Sequence, residues 1–222
     1  MGKSIDSKRN MKPIELFDNL CELFCINKSE VEDAFLFVAE KFKDKKRDSG
    51  EEVIFHPLRI LQIIHEVNLN LSKEDLKIVF KVTLLHDILE DTDTTEEEMI
   101  SNFGLKILNY IKILTLLRIP KEQLNMLSNE EEDKVLKERD KKYFEGIFKS
   151  NNILFKVIKI CDRLDNINTF SGLLKRLPKK SLAKYISSTE RDYLPEAKKL
   201  SNKLYKEFIN SLNYAKNLLN SV

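Results

Sequence analysis

Within the run LLHDILEDTDTT, residues 84–95, a histidine and an aspartate stand side by side at His86 and Asp87, and two further carboxylates, Glu90 and Asp91, follow about one helical turn later. Imidazole nitrogens and carboxylate oxygens are the groups that bind divalent cations and move protons near neutral pH. Val82, Leu84, Leu85, Ile88 and Leu89 surround them with apolar side chains, so the segment reads as a substantially buried helix. Ionised carboxylates are not left in such surroundings without a compensating charge. A divalent cation is the partner to which this pattern points.

One helix cannot surround an ion, so further ligands must come from elsewhere in the chain. The histidines are His56, His65 and His86. His56 stands at the start of a helix after a turn, and Asp162 follows an apolar run much later in the chain. Mixed imidazole and carboxylate ligation suits Mn²⁺, Fe²⁺ or Zn²⁺, and the share of hard oxygen donors favours manganese. His65 lies on an apolar face with Ile63 and Ile64 and reads as a packed or half-exposed side chain rather than a ligand.

The elements that must position these groups are predicted to be helices. The chain has 222 residues, of which 33% are charged and 42% hydrophobic, which suits a folded domain with one sizeable core. Only five glycines and five prolines interrupt it, and no stretch alternates as a strand would, so the expected fold class is all-α. A net charge of +2 argues against a dedicated nucleic-acid binder. Residues 1–12 are polar and basic and read as a flexible N-terminal segment, leaving 13–222 as a single domain. Pro13 opens a predicted helix to about Ile26, and Ser29 with Glu32 reads as a capping box ahead of the apolar stripe Val31, Ala34, Phe35, Val38, Ala39 and Phe42. A turn at Ser49-Gly50 precedes a helix from His56-Pro57 to about Val67. Ser72 caps a helix that carries the opening motif as far as Thr92. Thr94 or Thr95 starts a short helix that Gly104 stops, followed by a buried helix through Leu117.

Residues 120–152 are rich in Glu and Lys and read as a solvated helix pair or a mobile insertion that borders the site. A buried run from Ile153 leads into CDRLDNINTF, residues 161–170, and helices over about 179–188 and 193–219 close the bundle. Cys21, Cys25 and Cys161 form no CxxC pair and read as core-lining thiols in a reducing compartment. No apolar run reaches the length of a membrane span and no signal-peptide core follows Met1, so the expected location is cytoplasmic, with no membrane partner.

Four segments, KRDSGEEVIFHP at 46–57, LLHDILEDTDTT at 84–95, NFG at 102–104 and KICDRLDNINTF at 159–170, together resemble the hydrolase domain of the RelA/SpoT alarmone enzymes. The order and separation of these segments extend the resemblance over about residues 30–175. It is more specific than the His-Asp dipeptide of the wider HD phosphohydrolase superfamily. With no room for the family's synthetase domain, the chain is similar to the small, stand-alone alarmone hydrolases.

The resemblance implies an HD-domain helical bundle in which His56, His86, Asp87 and Asp162 hold one Mn²⁺ while Glu90 and Asp91 place and activate the attacking water. On a continuous helix Glu90 would share a face with His86, and Asp91 with Asp87, and a carboxylate beside a metal-held water can take its proton or fix its direction. By the same resemblance Arg47 and Ser49 contact a guanine base and Asn166 and Thr169 line the nucleotide. Lys46, Arg47 and Arg163 could supply charge for a polyphosphate, although a basic turn such as KDKKRD is ordinarily a solvated surface. The implied reaction removes the 3′-diphosphate of guanosine tetra- or pentaphosphate, so the expected partner is a small-molecule nucleotide; the oligomeric state stays open.

This chain departs from the family pattern at several positions. Phe42 replaces a histidine, a change expected to touch packing more than chemistry, and Leu116 replaces a lysine after Thr115. Asp48 stands where a basic residue is frequent and Asp165 where His or Tyr is usual, so the pocket is expected to carry extra negative charge. Two alternatives follow: a related metal phosphatase acting on another nucleotide, such as the 2′-phosphate of NADPH, or a silent nucleotide-binding module.

Overall fold

A computed structural model describes residues 11–116 and 119–221 of the chain; residues 1–10 of the predicted N-terminal segment lie outside the described residues. Pro13 opens helix α1 (Pro13–Leu23), where a first-turn residue has no intrahelical acceptor for an N–H in any case. The capping box predicted at Ser29 and Glu32 does not form. Asn27 accepts from the Ser29 N–H at 3.2 Å and caps a 3₁₀ turn over Lys28–Glu30, and α2 (Glu32–Lys41) starts at Val31 with no side-chain cap. An Asn two residues upstream offers the backbone a local bond that competes with helix initiation.

Helix α3 (Phe55–Val67) runs as predicted from the His56-Pro57 pair, and Ser72 caps α4 (Lys73–Leu85) by accepting from the Asp75 N–H at 3.1 Å. The continuous helix predicted through Thr92 is broken. Helix α4 ends at Leu85, Asp87 sits at φ −97°, ψ 1°, and the short α5 (Ile88–Asp91) begins beyond it. At the break His86 turns its ring back so that Nδ1–H donates to the Thr83 carbonyl at 2.8 Å, and the Glu90 and Asp91 N–H groups both reach the Asp87 carbonyl. A side-chain bond to the backbone interrupts the regular ladder there.

Thr95 caps α6 (Glu96–Leu114), accepting from the Glu98 N–H at 3.2 Å. The stop expected at Gly104 is a kink inside this helix, at φ 79° and ψ 163°, a conformation that favours glycine. Helix α6 ends at Leu114, and Leu117 lies outside the described residues. The Glu/Lys-rich region forms α7 (Lys121–Leu124) and the long α8 (Asn129–Phe148). Most of α8 faces solvent, while Ile147 and Phe148 enter the core. Then follow α9 (Ile153–Asn168), α10 (Phe170–Leu173), α11 (Lys179–Ser188), a π-helical turn over Thr189–Tyr193, α12 (Leu194–Leu200) and α13 (Asn202–Asn220). The helix predicted over 193–219 is interrupted at Ser201, whose extended backbone and hydroxyl cap α13.

Helix α9 is the axis of the fold and packs against α3, α4, α6, α8, α12 and α13. Leu154, Phe155, Val157, Ile158, Ile160, Cys161, Leu164 and Ile167 are all buried, the pattern of a helix enclosed on nearly every side. Buried side chains from Phe17 to Ala215 form one hydrophobic cluster. At its far end Phe17 stacks on Phe35 with ring centroids 4.3 Å apart, and Phe80 meets Phe17 and Phe24 edge-on. Phe42 joins this cluster, as expected of its replacement for a polar ring. Cys21 and Cys161 are buried, but Cys25, read from sequence as core-lining, is exposed just past the end of α1 at φ 52°. Among the described residues there is no strand beyond an isolated antiparallel bridge between Lys46 and Glu52, and no helix is long and apolar enough to cross a membrane.

Candidate functional site

The break after α4, the start of α3 and the middle of α9 converge on one point. Ligand-type atoms of His56, His86 and Asp162 all lie within 4.8 Å of one another, and all three residues are buried. His56 Nε2 is 3.2 Å from Asp162 Oδ1, and His86 Nε2 is 3.9 Å from the same oxygen. Asp87 stands at the edge of this cluster with its side chain 29% exposed, its Oδ2 3.1 Å from His86 Nε2 and 3.7 Å from His56 Nε2. The sequence-predicted His56, His86, Asp87 and Asp162 therefore do come together, three deeply and one at the rim. His65 lies apart, beside the Phe24 ring.

The hydrogen bonds around the two imidazoles test whether a cation fits. His86 Nδ1 is occupied by the Thr83 carbonyl, which leaves Nε2 as a buried atom without a hydrogen-bond partner. His56 Nδ1 is likewise occupied, by Asp165 Oδ2 at 2.7 Å. With both Nδ1 atoms donating, both Nε2 atoms present lone pairs toward carboxylate oxygens, and lone pairs face lone pairs only where a positive charge lies between them. Burial alone would push His86 down, but Asp87 and Asp162 carry it up to about 9. Burial would likewise raise the two aspartates, yet His86 draws Asp87 down to about 2, and Lys159 with the histidines holds Asp162 well below the usual range. The field that would place a proton on His86 would equally hold a metal ion, and the two-nitrogen, carboxylate donor set suits a divalent one.

A cavity of about 520 Å³ opens beside this cluster, lined by His56, Asp87, Glu90, Asp91 and Asp162 and extending to Lys46 and Arg47. Glu90 Oε1 accepts from the Leu116 N–H at 2.6 Å, which anchors α5 to the segment after α6. Burial holds Glu90 above the ordinary carboxylate range in spite of that bond. Asp91 is exposed at the cavity edge.

The basic residues reach the cavity from two directions. The turn over 46–52 is closed by Arg47 N–H to the Glu51 carbonyl at 2.8 Å and Gly50 N–H to the Arg47 carbonyl at 2.8 Å, with Gly50 at φ 86°. Arg47 Nη2 then donates to Asn166 Oδ1 at 2.5 Å, and Asn166 Nδ2 donates to Asp162 Oδ1 at 2.7 Å, linking the turn to the buried cluster. On α9, Lys159, Asp162, Arg163 and Asn166 recur at i, i+3, i+4 and i+7 and face the cavity together. Arg163 is clamped: its guanidinium carbon lies 3.7 Å from the Tyr185 ring centroid and 4.7 Å from that of Tyr193, while Nε and Nη2 donate to Thr189 and Ser188. Ser49 and Thr169 do not line the main cavity; they face a small neighbour that shares Arg47, Asp48 and Asn166 with it.

The extra negative charge expected from Asp48 and Asp165 is not free in the cavity. Asp48 accepts from Arg176 Nη1 at 2.9 Å. Asp165 is 1% exposed, points away from the cavity lining, and is paired with both His56 and Arg59. Sequence reading missed Lys159, Arg176, Tyr143, Tyr185 and Tyr193 in the lining. Lys159 could have been found, since it lies three residues before Asp162 on one helix and bonds it at 2.9 Å; the tyrosines carry no such local signal.

The pattern of the HD domain family matches residues 34–189 of the chain. The chain is similar to the guanosine-3′,5′-bis(diphosphate) 3′-pyrophosphohydrolase of Aquifex aeolicus, 29% identical over 171 residues that cover 77% of this chain and 21% of that protein. Its likeness to the protein of the same name from Borreliella burgdorferi is 34% over 188 residues, covering 77% of this chain and 25% of that one. The chain thus spans about a quarter or less of the length of these relatives. Among solved structures it is similar to one described as a metazoan orthologue of SpoT that hydrolyses ppGpp and plays a role in starvation responses. The TM-score is 0.60 at 18% identity, over 85% of this chain and 96% of that one, which is a likeness of fold.

Proposed function

The chain belongs to the HD-domain family, and from that premise we propose that it is a divalent-metal-dependent hydrolase that removes the 3′-diphosphate of ppGpp or pppGpp, leaving GDP or GTP and pyrophosphate. The names of the relatives support this substrate. The observation that carries it is the buried His86 Nε2, left without a hydrogen-bond partner among carboxylates.

In this reading His56, His86, Asp162 and the rim carboxylate of Asp87 hold one Mn²⁺. The ion supplies a Lewis acid for phosphate oxygen and lowers the pKa of water. Glu90, half-buried and held toward its protonated form, is the base that takes the proton of the attacking water, and Asp91 beside it orients that water. Lys159 neutralises Asp162 and keeps it from repelling an approaching phosphate. Arg163, clamped between two tyrosine rings, presents a guanidinium fixed in direction, which suits a diphosphate better than a mobile lysine would. Lys46, Arg47 and the Asn166 amide receive the rest of the nucleotide, with Ser49 and Thr169 behind them.

Charge supports a cation as part of the working site. Lys46, Arg47, Lys159, Arg163 and Arg176 line the cavity against Asp48, Asp87, Glu90, Asp91 and Asp162, so the formal charges cancel. A bound dication makes the same cavity attractive to a polyphosphate. A reducing, cytoplasmic location fits Cys21, Cys25 and Cys161, all of them free thiols. The test is to strip the full chain of metal, restore Mn²⁺, Fe²⁺ or Zn²⁺ separately, and follow ppGpp, pppGpp and NADPH with product identification. Manganese-dependent release of pyrophosphate from the guanosine nucleotides is expected; phosphate release from NADPH alone, or no turnover with any ion, would reject the reading.

A further inference from the structure

We propose that Asp165, held in place by Arg59 and Glu51, is the positioning residue for His56, fixing that ring with its proton on Nδ1 and its lone pair on Nε2. The proposal rests on the reading of His56 as a metal ligand. Asp165 lies on the side of α9 turned toward α3, three residues beyond Asp162, and is 1% exposed. Its Oδ2 is 2.7 Å from His56 Nδ1. Arg59, one turn along α3 from His56, donates Nε to Oδ1 at 2.6 Å and Nη2 to Oδ2 at 3.0 Å. The remaining Nη1 bonds the Glu51 carboxylate, and the Glu51 carbonyl accepts from the Arg47 N–H. An unbroken set of bonds therefore runs from the basic turn to the metal ligand.

The direction of each bond follows from the chemistry of its partners. A guanidinium can only donate and an ionised carboxylate can only accept, so both oxygens of Asp165 are acceptors and the 2.7 Å contact requires His56 Nδ1 to donate. Nε2 is then bare and directed at Asp162. A partner behind a ligating imidazole sets both its tautomer and its orientation.

Asparagine at 165 has one acceptor where the aspartate has two. If its Nδ2 took the place of Oδ1 it would meet Arg59 Nε–H, donor against donor. With Nδ2 in place of Oδ2 it would meet both Arg59 Nη2–H and His56 Nδ1–H, and His56 can relieve its share of the clash only by moving its proton to Nε2, the nitrogen needed by the metal; in either orientation the carboxylate charge behind the ring is lost. Asp165→Asn is therefore expected to weaken Mn²⁺ binding to the full chain about 10- to 100-fold, read by titration calorimetry at a temperature where circular dichroism shows the variant folded. Removing the arginine as well, in Arg59→Met with Asp165→Asn, frees the amide oxygen to turn to His56 and should restore part of the lost affinity, a recovery that a merely structural role would not give.

Histidine ¹⁵N NMR of the wild-type protein supplies a measurement that needs no variant: His56 is expected to carry a protected Nδ1–H, and an unprotonated Nδ1 overturns the proposal. It is also overturned by Asp165→Asn binding Mn²⁺ within twofold of wild type, or by a double variant binding no better than the single one. Wild-type protein that takes up no divalent ion would instead remove the metal reading, and this proposal with it.

Discussion

Glu90 differs from the carboxylates around it in the direction its environment pushes it. Burial holds Glu90 above the ordinary range, whereas Asp87 and Asp162 are drawn below it by the imidazoles and Lys159. Carboxylates separated in this way can take different tasks at one pH, two staying ionised beside a cation and one accepting a proton. The base must be ionised to act, so activity is lost as pH falls through the raised Glu90 value. The acid limb of kcat/KM, measured at saturating Mn²⁺, should therefore lie above the value of about 4.3 for a free glutamate; a limb at or below it would remove Glu90 as the base. In Glu90→Gln the amide oxygen can keep the Leu116 N–H bond, so Mn²⁺ affinity should persist while kcat falls about 10²- to 10⁴-fold. Turnover near the wild-type rate in that variant would contradict the assignment.

At the scale of elements, the site depends on two irregularities in otherwise regular helices and on one close contact between elements. The break at His86 and Asp87 turns one imidazole into the core while α5 carries Glu90 toward Leu116. The π-helical turn after α11 brings Tyr193 within reach of the same guanidinium that stacks on Tyr185. The contact is the close approach of α10 to the basic turn: a Cβ at Gly172 would lie 2.9 Å from the Ser49 nitrogen and 3.1 Å from its Cα. These are backbone atoms, so Gly172→Ala must displace the turn that carries Lys46 and Arg47. The expected result is a raised KM for the nucleotide with kcat and Mn²⁺ affinity little changed, since the metal cluster is built on α3, α4 and α9. A steady-state comparison with wild type checks it, and an equal fall in kcat would show that the turn also shapes the transition state.

For the molecule as a whole, metal and fold should be linked. The cluster joins α3, α9 and the end of α4, and α9 is the helix on which most of the bundle packs. An ion that binds the folded chain alone stabilises it by mass action, about 2.7 kcal/mol at a hundred times its dissociation constant. For a chain of this size that corresponds to a rise of roughly 5–10 °C in melting temperature. Manganese should produce the rise, EDTA should reverse it, and Asp162→Ala should abolish it; a melting temperature indifferent to Mn²⁺ in the wild type would argue against the proposed centre.

Much of this was legible in the residues themselves. The spacing of apolar positions declared a helical protein because burial on one face of a helix repeats every three to four residues. The types of His86 and Asp87 pointed to a divalent cation, because few other side chains ligate one, and the resemblance added His56 and Asp162; His56, His86 and Asp162 do form a group that could hold an ion. The break at His86 could not be read, since the apolar pattern continues through it and a ring-to-carbonyl bond decides it. Nor could the fate of Asp48 and Asp165. Each has basic residues close by in sequence, Arg47 beside Asp48 and Arg163 near Asp165, yet each is neutralised by an arginine more than a hundred positions away, Arg176 for one and Arg59 for the other. Local chemistry and periodicity were written in the sequence; the pairing of distant charges, and with it which carboxylates face the substrate, was decided only when the helices packed.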